Sequence, residues 1–138
     1  MSRILVAVSS PWAAEKIADT IGDLAKRLGA EVLVVHVSRP SGGQLRDQEQ
    51  ADGEAAIRLL RDKLQQKSIA VQDLLMFSDD IARAILNTSV ERDVSLIVLG
   101  LTGKNVFARL LAGNVPGELI KNTRIPVLIL PPDWNKQV

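Results

Sequence analysis

The chain has 138 residues with no cysteine, and its 17 basic and 16 acidic side chains leave a formal charge of +1. That length fits one domain, residues 1–138, with a core that needs no metal or disulfide, and the missing cysteine removes thiol chemistry and cysteine-based metal sites. The balanced charge gives no global attraction for nucleic acid or an anionic membrane, and two Trp and two Phe scattered along the chain do not make a base-stacking platform.

Ile4 to Val8 is a continuous apolar run, as expected of a strand covered on both faces in a parallel sheet. Large apolar residues then fall at 17, 21, 24 and 28, a helical stripe that stops at Gly29. Val32 to Val37 predicts the second strand, and Ser38 to Gln44, with its glycines and proline, predicts a loop. Ile57, Leu60 and Leu64 predict a second helix over Glu54 to Gln66. This leaves Pro40 to Gly53 as a connector or, from its position after the second strand, a lid.

Ile69 to Phe77 predicts the third strand, although Gln72 and Asp73 interrupt it. Ser78-Asp79-Asp80 offers N-caps for a helix whose Ile81, Ile85 and Leu86 turn inward, and capping with the helix dipole accounts for both aspartates without any chemistry. Leu96 to Leu99 predicts the fourth strand, with a loop from Gly100 to Ala112. A short helix over Val115 to Asn122 follows, because Pro116 fits only in a first helical turn. Val127 to Leu130, between Pro126 and Pro131, predicts the fifth strand. Strands alternating with helices in this way give a doubly wound parallel α/β sheet, since each parallel connection needs a crossover. No apolar stretch approaches the roughly 18 residues of a membrane span, and a cytoplasmic protein is expected.

The chemistry-bearing pattern is the run Ser95-Leu-Ile-Val-Leu-Gly100-Leu-Thr-Gly103, followed by Gly113-Asn114. A buried strand that empties into a glycine-marked loop and restarts as a helix exposes backbone N–H groups, which suit phosphate. Each glycine taken singly also has an ordinary use in ending a strand, turning a loop or preceding a cap. Lys104 follows Gly103 without the Ser or Thr of a Walker loop, and Ile4 to Trp12 holds none of the glycines of a dinucleotide fingerprint. Lys104 and Arg109 add positive charge to the loop. His36, the one histidine, lies between valines in a strand and reads as a packing residue, not a metal ligand.

The spacing Gly100-x-x-Gly103, nine residues, Gly113 resembles the ATP-binding members of the universal stress protein family. So do the opening Ile-Leu-Val-Ala-Val, the second strand's Val-Val-His-Val37, Arg-Leu-Leu-Ala-Gly113 and the closing Ile-Pro-Val-Leu-Ile-Leu130. The resemblance runs from Arg3 to Leu130 and implies a five-stranded parallel sheet of order 3-2-1-4-5 with helices on both faces. It also implies a cytoplasmic stress-response module that binds ATP or another adenine nucleotide, with or without Mg2+, as a regulatory ligand. Carried over by position, Ala7, Val8 and Val37 would contact the adenine, Ser9 would stand where ATP-binding members carry Asp, and Leu99 and Gly100 would flank the ribose. Gly103, Gly113, Asn114 and Val115 would hold the phosphates, with Asn114 in place of the usual Ser or Thr and equally able to cap the helix it starts. A homodimer through Val127 to Leu130 is implied as well, and an apolar edge strand is a physical reason for one. Two other readings stay open: a nucleotide-free dimeric interaction module, and a weak ATPase. The glycine loop offers no Glu, His or Gln as a base for hydrolysis, so no catalytic residue is assigned.

Overall fold

The computed structural model describes residues 2–39, 44–100, 115–131, 134 and 136–138. In chain order these form β1 (Ser2–Ala7), α1 (Pro11–Leu28), β2 (Ala30–Ser38), α2 (Gln44–Gln66), β3 (Val71–Phe77), α3 (Ile81–Glu91), β4 (Leu96–Gly100), α4 (Val115–Asn122) and β5 (Val127–Leu130). The strands make one parallel sheet of order β3-β2-β1-β4-β5, as expected from the resemblance.

The continuous apolar runs of β1 and β2 follow from a sheet covered on both faces, because alternate side chains of one strand feed two cores. Ile4, Val6 and Val8 pack with Ile17 and Ile21 of α1 and with Ala56, Leu60 and Leu64 of α2. On the other face Leu5, Val35, Val37, Ile97 and Leu99 pack with Ile85 of α3 and Leu119 of α4. The mixed sequence of β3 fits its place at the sheet edge, where Asp73 is ion-paired with Arg61 of α2 at 2.7 Å.

The helix ends follow local chemistry. Ser10 caps α1 by accepting from the Ala13 N–H, and Gly29 closes it in the left-handed region at φ 61°, donating to the carbonyls of Ala25 and Lys26. Asp80 caps α3 through the Arg83 N–H at 3.1 Å, as the sequence leads one to expect. α4 begins at Val115 with Pro116 in its first turn.

One expectation is overturned. The stretch 44–53 is neither a connector nor a lid but the first half of α2, which starts at Gln44, well before Glu54. Gln, Leu, Arg, Glu and Ala are good helix formers, and their propensity outweighs the missing apolar stripe. Within it Gly53 lies directly over β2. The tail beyond β5 was not foreseen either: Trp134 packs into the α1/α2 core, and Thr20 donates to the Lys136 carbonyl at 2.6 Å, fixing residues 136–138 along α1.

Candidate functional site

β1 and β4 are neighbours, with Ala7 paired to Leu99, yet their connections part. β1 leads into α1 on one face of the sheet, and β4 precedes α4 on the other. The carboxyl ends of these two strands are thus the switch point of the sheet, where the topology of a doubly wound sheet favours a ligand crevice.

Ala7 ends β1 there, with Val8 and Ser9 just after it, Leu99 and Gly100 end β4, and Val37 stands near the end of β2, the strand on β1's other side. Val115 is the first residue of α4. Gly103, Gly113 and Asn114, like Lys104 and Arg109, lie outside the described residues.

The described candidates divide into two kinds. Val8, Val37 and Leu99 are buried, with their side chains spent in the two cores. Ala7, Gly100 and Val115 are half-buried, and Ser9 is exposed. Gly100 is informative. Its φ is not in the left-handed region, and a β-carbon built there would meet only Ile17, at 3.5 Å, an ordinary contact. Among the described residues neither backbone strain nor packing demands glycine here, and a glycine lets the main chain be approached closely.

The β1 end of the crevice is held from beneath. The Val8 N–H donates to the Val35 carbonyl at 2.9 Å, and the Val8 carbonyl lies 2.8 Å from Nδ1 of buried His36. A carbonyl can only accept, so Nδ1 carries the proton; Nε2 is buried and has no hydrogen-bond partner among the described residues. The ring is pressed by α2, because a β-carbon on Gly53 would sit 2.1 Å from His36 Cδ2 and 2.4 Å from Nε2. His36 is thus a packing residue, as its sequence context suggests, but it also grips the crevice rim. Nothing in the sequence pairs a strand histidine with a carbonyl on another strand or with a helix glycine, so this role was not legible. Among the described residues no three His, Asp or Glu side chains gather as a metal site.

This is the framework of a doubly wound α/β protein with a switch-point crevice. The chain belongs to the universal stress protein family, whose pattern its residues 1–131 match. It is 24% identical to the universal stress protein YxiE of Bacillus subtilis, over 94% of this chain and 98% of that one. In fold it is similar to the Archaeoglobus fulgidus universal stress protein in complex with dAMP, at TM-score 0.71 and 21% identity, covering 94% of this chain and 97% of that one. It is also similar to a universal stress protein family protein of Arabidopsis thaliana with AMP bound, at TM-score 0.64 and 16% identity, covering 96% and 92%. No described helix is long and apolar enough to cross a membrane.

Proposed function

We propose that this protein binds an adenine nucleotide in the crevice between β1 and β4 and serves as a ligand-gated regulator in a cytoplasmic stress response. The observation that carries the reading is Gly100, a glycine at the mouth of a switch-point crevice that neither its backbone angle nor its described neighbours require. Similar folds with dAMP or AMP bound support the ligand class. In this reading Ala7, Val8, Ser9 and Val37 frame the base, and Leu99 and Gly100 flank the ribose. The phosphates, those of ATP with or without Mg2+, lie against Val115 and the sequence positions Gly103, Gly113 and Asn114. The nucleotide is a signal and not a substrate. The protein works as a homodimer through the edge strand β5.

A specific observation favours a second reading. Ser9 is exposed where ATP-binding members carry an aspartate, and without that carboxylate the domain would act as a nucleotide-free interaction module. Calorimetric titration with AMP and with Mg-ATP separates the two. Binding in the micromolar range is expected, weakened about tenfold or more in Gly100→Val. Gly100→Ala should keep the wild-type fold, since its methyl meets Ile17 at an ordinary distance, while losing affinity. No heat with either nucleotide, together with no adenine nucleotide released on heat denaturation, refutes the ligand reading.

A further inference from the structure

His36 is buried in β2, and among the described residues its side chain makes one hydrogen bond, to the carbonyl of Val8 just past β1. The target, Val8, is the last residue before the chain leaves the sheet toward α1, and its N–H is already engaged by Val35. Both Val8 groups therefore point toward β2. The Val8 carbonyl and the Ser9 N–H belong to one trans peptide unit, in which the C=O and N–H bonds point in opposite directions. Holding the carbonyl toward β2 turns the Ser9 N–H toward the strand on β1's other side, which is β4. Beyond the Ala7–Leu99 pair that is the crevice, and no hydrogen bond among the described residues engages the Ser9 N–H.

We propose that His36 is a positioning residue that aims the Ser9 main-chain N–H into the crevice as a donor to the bound nucleotide. The proposal rests on the nucleotide-binding reading above and names one donor within it. The donor is a main-chain group whose direction is fixed from the far side of β1. The ring is kept from turning by its burial and by the backbone of α2 at Gly53, where even one extra methyl would overlap it. His36 thereby links the stance of α2 to the direction of the Ser9 amide.

Two amides of equal chemistry test the idea. The side-chain nitrogen of Asn can take the place of Nδ1, whereas that of Gln falls near Nε2, so His36→Asn keeps a donor to Val8 and His36→Gln loses it although Gln is closer to His in size. AMP affinity by calorimetry should fall about tenfold in His36→Gln and in His36→Leu, and return to within about threefold of wild type in His36→Asn. In the wild type, ring 15N shifts should report a protonated Nδ1 and a bare Nε2, and the Ser9 amide resonance should move on AMP addition. Gln binding as well as Asn, Leu binding like wild type, or a ring protonated at Nε2 overturns the proposal. If the wild type binds no AMP, the nucleotide reading itself has failed. The hold on Val8 is then still decided by the ring tautomer and by whether Val8 amide exchange stays slow in Asn and quickens in Gln. Should a substitution unfold the chain, the wild-type tautomer and the Ser9 shift remain decisive.

Discussion

Two glycines sit in the middle of neighbouring helices on the same face of the sheet, and they meet opposite kinds of neighbour. Gly22 of α1 lies against the aliphatic stem of Lys67, where an added β-carbon would stand 2.7 Å from Cδ, near the movable end of a flexible chain. Gly53 of α2 lies against the His36 ring, with 2.1 Å to the nearest carbon, and that ring is buried and hydrogen-bonded to Val8. A glycine inside a helix costs about 1 kcal/mol relative to alanine, so each position needs a reason. At Gly53 the reason is steric: only a helix with no side chain there can come down on a histidine that holds the crevice rim.

The largest effect expected from this contrast is at Gly53. Gly53→Ala gains helix propensity but must either lift α2 or push the ring off Val8, and overpacking a closed core costs roughly 1–3 kcal/mol. A net loss of about 2 kcal/mol in urea unfolding is expected. The Val8 amide should exchange faster in the same variant. Unchanged stability would mean that α2 is not seated on His36.

The same contrast explains what could be read from the sequence. α1 was legible because Ile17, Ile21 and Leu24 recur at the spacing of one helical face and Gly29 ends it with a left-handed cap. The first half of α2 was not, because its residues from Asp47 to Asp52 are exposed or half-buried and carry no large apolar stripe, while Gly53 reads as a breaker. Its contact with the sheet is made by a missing side chain, and a missing side chain leaves no periodicity. The five strands, their order and the Val115 helix start were all within reach of pattern and resemblance. At the site, the β1 and β4 ends could be placed by the same means. The grip of His36 on Val8 joins residues that are distant in sequence through one side chain and one carbonyl, and only coordinates show it.

At Gly22 the sign should reverse. Gly22→Ala asks only that the Lys67 stem shift by a fraction of an ångström, since Ile69 Cδ1 at 3.4 Å is near ordinary contact. A gain of about 0.5 kcal/mol is expected, most of the helix-propensity difference less a small repacking cost. Thermal unfolding of the variant beside Gly53→Ala measures both signs in one experiment, and a loss at Gly22 comparable to that at Gly53 would break the distinction between a movable neighbour and a pinned one.

The smallest effect comes from the ion pairs that tie α1 to α2 and to the turn after it, Lys63 to Glu15 at 2.7 Å and Lys67 to Asp19 at 2.9 Å. The hydrogen bond from Lys67, and then its charge, hold the Asp19 carboxyl below the usual carboxylate range, and Glu15 raises the Lys63 ammonium. A depressed carboxylate adds stability that is present above its unfolded pKa, near 4, and is lost as pH falls through the lower folded value. Asp19 is 89% exposed, so solvent screening leaves only a few tenths of a kcal/mol. Lys67→Met should therefore lower stability slightly at pH 7, and the gap to wild type should close as pH falls below about 4 or as salt rises. The same variant puts an unbranched thioether chain, held by no ion pair, in place of the Lys67 stem. Gly22→Ala should then gain a little more in Lys67→Met than in wild type, because moving the neighbour no longer stretches a bond to Asp19.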